Sequence, residues 1–160
     1  TFTAAGCSRS EESIRAGFPP SLRGQIEVLP HLATDADIIR VCAKRSVFVL
    51  PSFAEGQPLA MMEAAALGMA IVTTDGPGMR DFIQNDVNGL LIGIGDADAL
   101  ADRLERLVNS PSDARRLGEA ARRKVQVFTW TNAARTLEEA YGKAIDRARK
   151  KSEKAKIVLA

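Results

Sequence analysis

The sequence predicts an α/β domain, a Rossmann-like doubly wound parallel sheet of about five strands with helices on both faces and two further helices at the C-terminal end. Three observations lead there. Short apolar runs of strand character alternate with helical patterns along most of the chain. Strands that follow one another through helices pair in parallel, because an antiparallel neighbour would need only a tight turn. Finally, the apolar run at 46–50 empties into a loop at 51–57, after which Pro58 opens an alanine-rich helix that Gly68 closes.

Taken in order, the strands are expected at 1–6, 25–29, 46–50, 70–74 and 89–94, each a short run dominated by apolar or β-branched residues. The helices are expected at 9–16, 35–44, 58–67, 79–84 and 97–109. Asp35-Ala36-Asp37 and Asp96-Ala97-Asp98 imitate an Asp-x-Asp metal motif, but each opens a helix, where aspartate satisfies free amides and the macrodipole; no metal is expected. The next helix, 111–127, has Ser110 as a candidate cap, Pro111 at its first position and Asp113 in its first turn. The last, 132–150, carries Ala134, Leu137, Tyr141 and Ile145 as one stripe that needs a surface to pack on. There is no internal repeat and no linker rich in Gly, Pro or Ser.

Composition bounds the function. The 160 residues, 46% hydrophobic and 26% charged, suit one domain that buries about two thirds of its unfolded surface. A net charge of +2 with a single Trp and a single Tyr offers neither the basic footprint nor the stacking platform of a nucleic-acid binder, so no nucleic acid is expected. Cys7 and Cys42 lack metal-ligand spacing, and a reducing compartment is the default reading. No apolar stretch approaches a membrane span, and no signal-peptide pattern opens the chain. Thr1 stands inside a strand-like run, so the chain is expected to be a fragment.

The chemistry concentrates in two glutamates, Glu55 in the 51–57 loop and Glu63 on the following helix. Loop and helix N-terminus would lie beyond the carboxyl end of a strand, where free amides suit a phosphate or polyhydroxyl ligand. From Leu59 to Leu67 every residue but Glu63 is Leu, Met or Ala, and a helix apolar all round is expected to be buried. A buried carboxylate costs several kcal/mol unless something polar meets it. No Arg, Lys or His lies within a helical turn, which leaves a ligand as the expected partner; a glutamate at the helix edge, facing solvent or a distant Arg, is the alternative. Gly76-Pro77-Gly78 reads as a tight turn or as a wall of the same pocket. Ser52 has no plausible His partner for nucleophile chemistry.

Pro51-Ser52, Glu55-Gly56, Pro58, Glu63-Ala64, Gly68, Ile71-Val72, Asp75, Gly78, Asn88-Gly89-Leu90-Leu91, Gly95-Asp96 and Leu100-Ala101 follow one another in an order that resembles the carboxy-terminal, donor-binding half of a family-4 glycosyltransferase of the two-Rossmann-domain (GT-B) type. Thr129-Trp130 is similar to that family's aromatic-Ser-Trp signature. The likeness runs over 2–145. It implies a nucleotide-sugar-binding domain at 1–146, with its first strand missing, a basic tail at 147–160, and an N-terminal acceptor domain outside this chain. In the resemblance Glu55 borders the transferred sugar, and Gly56, Gln57, Pro58, Leu59 and Gly78 line the donor. Glu63 accepts hydrogen bonds from the ribose hydroxyls. The loop 30–33 after the second strand, with His31 and Leu32, resembles the segment whose backbone faces the base, although a lone His is more often a satisfied surface or core residue.

The resemblance further implies a retaining hexosyltransferase that binds a nucleoside diphosphate sugar in carbohydrate biosynthesis with no cofactor, its partner being its own N-terminal domain. A fragment alone would be inactive. The family's Arg and Lys that clamp the diphosphate follow its missing first strand, and Asp81 stands where the family often has Glu, with a shorter reach. A sugar-nucleotide epimerase domain and a non-catalytic binding module are the alternatives. A cytoplasmic location is expected. The six basic residues among 147–156 could meet anionic lipid at the cytoplasmic face, although a solvated, frayed helix end is the plainer reading.

Overall fold

The computed structural model describes residues 2–6, 9–29, 32 and 34–158. Among them run five strands, β1 (Phe2–Ala5), β2 (Ile26–Leu29), β3 (Val47–Leu50), β4 (Ala70–Thr74) and β5 (Leu90–Ile92). Seven helices alternate with or follow them: α1 (Glu11–Ala16), α2 (Asp35–Cys42), α3 (Leu59–Ala66), α4 (Met79–Phe82), α5 (Ala97–Asn109), α6 (Pro111–Val125) and α7 (Trp130–Val158). Each predicted element is present, trimmed at one or both ends in most cases. A 3₁₀ turn at Arg23–Gln25, absent from the sequence reading, leads into β2.

Every pairing is parallel, with helical crossovers, but the expected single sheet is hydrogen bonded in two pieces. β1 pairs with β2 from Phe2 opposite Ile26 to Ala5 opposite Leu29; β4 lies between β3 and β5, with Val47 opposite Ala70 and Val72 opposite Leu90. No ladder among the described residues joins β1 to β3. A side chain ties the halves instead: Arg45, just ahead of β3, donates from Nε to Thr3 Oγ1 at 2.8 Å and forms an ion pair with Glu27 of β2.

The core sits on both faces of β4, all five of whose residues are buried. Side chains alternate across a strand. Ile71 therefore joins Met61, Ala64, Met79, Phe82 and Ala121 on one side, while Ala70 and Val72 join Leu90, Ile92, Leu107 and Leu117 on the other. Burial on both faces is what a parallel sheet requires, and each large apolar side chain so covered contributes about 1.5–3 kcal/mol. Helix α6 closes on the turn before β4 at Gly118, where a Cβ would collide with the Gly68 carbonyl.

Two helix starts differ from expectation in detail. Thr34, not Asp35, caps α2, its side chain accepting from the Asp37 amide, while Asp35 and Asp37 fill the first turn. Ser110 holds the cap position of α6, but its hydroxyl makes no capping bond and meets Ser112 Oγ at 3.3 Å. Asp96 caps α5 as the sequence suggested, accepting from the Ala99 amide at 2.9 Å. Helix α7 runs without a break through the basic segment to Val158, beyond the expected end at 150. Its stripe is uncovered: Leu137, Tyr141 and Ile145 are 53%, 62% and 52% exposed.

Candidate functional site

The loops leaving the carboxyl ends of β3 and β4 are fastened to each other. Two buried threonines of β4 hold the β3 loop at its root, Thr73 Oγ1 donating to the Leu50 carbonyl at 2.7 Å and Thr74 Oγ1 donating to the Ser52 carbonyl. Ser52 Oγ then donates to Glu55 Oε1 at 2.7 Å, and the Glu55 amide donates to the Pro77 carbonyl at 3.1 Å. Glycine is required where the loops touch. A Cβ on Gly76 would stand 2.6 Å from the Phe53 carbonyl oxygen, and one on Gly78, whose φ is +83°, would strike the Glu55 carbonyl. Gly76-Pro77-Gly78 is thus both a turn and a wall against Glu55.

Asp81 has a part in that wall. Its Oδ2 accepts from the Gly78 amide at 3.2 Å and steadies the start of α4, a reach for which aspartate is long enough.

Helix α3 begins at Pro58 with no side-chain cap. The amides of Leu59, Ala60 and Met61, and those of Gly56 and Gln57 before them, donate to no acceptor among the described residues. Free amides at a helix start carry the positive end of the macrodipole, so the β3 loop presents a surface suited to an anion beside the Glu55 carboxylate. The Gln57 side chain lies against α3, Nε2 donating to Met62 Sδ at 3.3 Å.

Glu63 departs from expectation. Helix α3 is not buried all round: Met61, Ala64 and Ala65 face the core, whereas Glu63 shares an exposed face with Leu59, Ala60, Ala66 and Leu67, Leu59 being 63% exposed. The reason is that no element among the described residues packs on that side of α3. The Glu63 carboxylate has no hydrogen bond and no ion pair among the described residues, so it is an open acceptor in water rather than a buried one lacking a partner. It does act on the half-buried Cys42 of α2: burial pushes that thiol above its ordinary range, and the Glu63 charge pushes it further.

Glu55, Gly56, Gln57, Pro58, Leu59 and Gly78 therefore come together at the ends of β3 and β4, with Glu63 on the next turn of α3. Leu32, half-buried, belongs to the loop after β2 in the other half of the sheet. His31 lies outside the described residues, as do Pro30 and Ala33. Among the described residues no group of three or more His, Cys, Asp or Glu is placed to hold a metal ion, and no helix is long and apolar enough to cross a membrane. Sequence reasoning missed the tethers Ser52, Thr74 and Asp81; the three-residue spacings Ser52 to Glu55 and Gly78 to Asp81, common in turns and caps, were the available signal.

The family model described as "Glycosyl transferases group 1" matches residues 21–124. The chain is similar to an MMP alpha-(1->4)-mannosyltransferase from Mycolicibacterium hassiacum, 34% identical over 116 residues that make up 71% of this chain and 28% of the relative. Its fold is similar to that of sucrose-phosphate synthase from Thermosynechococcus elongatus, with a TM-score of 0.70 and 25% identity over 90% of this chain and 37% of the other. It is also similar to HepE from Anabaena, solved in complex with UDP, at a TM-score of 0.70 and 19% identity, covering 77% of this chain and 34% of that one. The chain spans about a quarter of the length of the first curated relatives it matches.

Proposed function

Because the chain belongs to the group 1 glycosyl transferases and has the fold of the carboxy-terminal domain of a GT-B enzyme, we propose that it is the donor half of a glycosyltransferase and binds a nucleoside diphosphate sugar at the carboxyl ends of β3 and β4. One observation supports this most: the free amides of Gly56, Gln57 and the first turn of α3 stand between a tethered carboxylate, Glu55, and an unpaired one, Glu63. The amides suit a phosphate. A carboxylate free on both oxygens can accept from the two hydroxyls of a ribose by charge-assisted hydrogen bonds, a geometry that a single hydroxyl would not fill.

In this reading Glu55, its rotation limited by Ser52, orients the sugar and does not attack it. His31 and Leu32 face the base. Catalysis consists of positioning and of stabilising the departing diphosphate. The enzyme is of the family-4, retaining, hexosyl-transferring kind, works in carbohydrate biosynthesis in the cytoplasm, and needs neither metal nor cofactor. Its acceptor is held by an N-terminal domain, so this chain alone binds donor without turning it over. The basic stretch of α7 gives it a contact with anionic membrane. An epimerase shares the two-domain fold; the glutamate pair and Asn88-Gly89-Leu90-Leu91 favour the transferase.

Calorimetric titration with nucleoside diphosphates tests the reading. Each charge-assisted hydrogen bond contributes about 1.5–3 kcal/mol, so Glu63→Ala should weaken binding at least tenfold while leaving the fold intact, since the side chain is exposed. A mutant that binds as well as the parent removes the ribose role from Glu63.

A further inference from the structure

Among the described residues the amides and carboxylates of the site have no cation beside them so far, and the structure offers one. Arg80 stands two residues beyond Gly78, the residue pressed against the Glu55 backbone. Helix α4 buries Met79 and Phe82, 0% and 4% exposed, and leaves Arg80 on the solvent side, where its side chain donates to no acceptor among the described residues. Three other cations of this half are occupied elsewhere: Lys124 donates to the Phe82 carbonyl, and Arg106 and Arg116 pair with Asp86 and Asp113. Two carboxylates of these loops already have bonds, Asp81 with the Gly78 amide and Glu55 with Ser52.

Charge makes the vacancy informative. Glu55, Glu63, Asp75 and Asp81 give this end of β3 and β4 a negative field, against which amide dipoles alone must hold an anion. A nucleoside would tolerate that field, whereas a diphosphate would be repelled unless a full positive charge stood beside the amides.

We propose that Arg80 is a specificity-determining residue of the site: its guanidinium meets the phosphates of the bound nucleotide and makes the site prefer nucleoside diphosphates to nucleosides. This rests on the donor-binding reading above. Arginine suits the task, because its fork matches phosphate oxygens two at a time.

The test titrates this chain with uridine, UMP and UDP, and with the guanosine and adenosine series, for the parent and for Arg80→Ala, Arg80→Lys and Glu63→Ala. With the base that binds, the parent should hold the diphosphate about tenfold or more tighter than the nucleoside, a preference that falls as salt rises. Arg80→Ala should lose most of that preference and keep the nucleoside affinity; Arg80→Lys should recover part of it. Glu63→Ala should instead weaken nucleoside and diphosphate alike. An Arg80→Ala protein that keeps the parent's full preference overturns the assignment to Arg80 and leaves the donor reading standing. A parent that binds none of the nine ligands overturns both.

Discussion

A set of glycine-to-alanine replacements separates backbone strain from crowding and tests whether the β3 and β4 loops meet as described. Gly78 combines both effects, with φ at +83° and a Cβ that would strike the Glu55 carbonyl. A left-handed residue costs an L side chain about 1–2 kcal/mol, and a methyl group forced into packed surroundings costs about 1–3 kcal/mol. Against this stands a gain of about 0.4–1 kcal/mol from the stiffer unfolded chain. Gly78→Ala should therefore lose about 3 kcal/mol, or roughly 6–12 °C in Tm. Gly95, at φ +77° with nothing within 4 Å of a Cβ, carries the strain alone and should lose about 1 kcal/mol. Gly118 carries the crowding alone, against the Gly68 carbonyl, partly offset by the helix preference of alanine, and should lose about 1–2 kcal/mol. Gly56 has open space and an ordinary φ, so its replacement should be neutral or slightly stabilising. Urea and thermal unfolding followed by circular dichroism read the series. A Gly78→Ala protein that melts with Gly56→Ala would refute the contact on which the site geometry depends.

Two predictions concern titration. Arg106 and Arg116 hydrogen bond Asp86 and hold its carboxyl below the ordinary value of 3.8; burial would raise Asp113, but the same two arginines outweigh it and lower that group too. A depressed folded pKa adds stability above the ordinary carboxylate range and loses it as pH falls through that range, so Asp86→Asn should flatten the acid limb of the stability curve between about pH 5 and 2. The pairs are largely exposed, with Asp86 at 51%, so the loss is at most about 1 kcal/mol and shrinks in salt; an unchanged acid limb would count against the network. In a Cys7→Ser background, Cys42 should alkylate more slowly than a free thiol at pH 8, and Glu63→Gln should speed it, because both burial and the Glu63 charge raise the thiol. Equal rates with Glu and Gln at 63 would mean that the two side chains are not neighbours.

The alternating pattern was enough to read the elements, because each strand is a compact apolar run and most helix starts carry a legible signal such as Pro111 or Asp96. Asn88-Gly89-Leu90-Leu91 was legible as a motif, and the structure gives its first member a fold role: Asn88 accepts from the Gln84 amide at 2.7 Å and donates to the Phe82 carbonyl at 3.1 Å. Tertiary facts escaped. Local composition made α3 look buried, yet burial depends on what packs outside it, and one face meets nothing among the described residues. Likewise, alternation implies parallel strands but not which of them are hydrogen bonded, so the break between β1 and β3 had no local sign.

That break should also divide the molecule by local stability. The half built on β4 has fully buried Met61, Ile71, Leu90 and Leu117, whereas β1 and β2 rely on Ile26 and Val28 and leave Phe2 45% exposed. Amides of β1 and β2 should open through smaller fluctuations than those of β4, as separate cooperative units of one chain. Glu55, Gly78 and Arg80 stand on the firmer unit. Anything that leans on β1 and β2 leans on the softer one, so ligand contact there would be made by adjustment, and contact at β3 and β4 by a surface already in place.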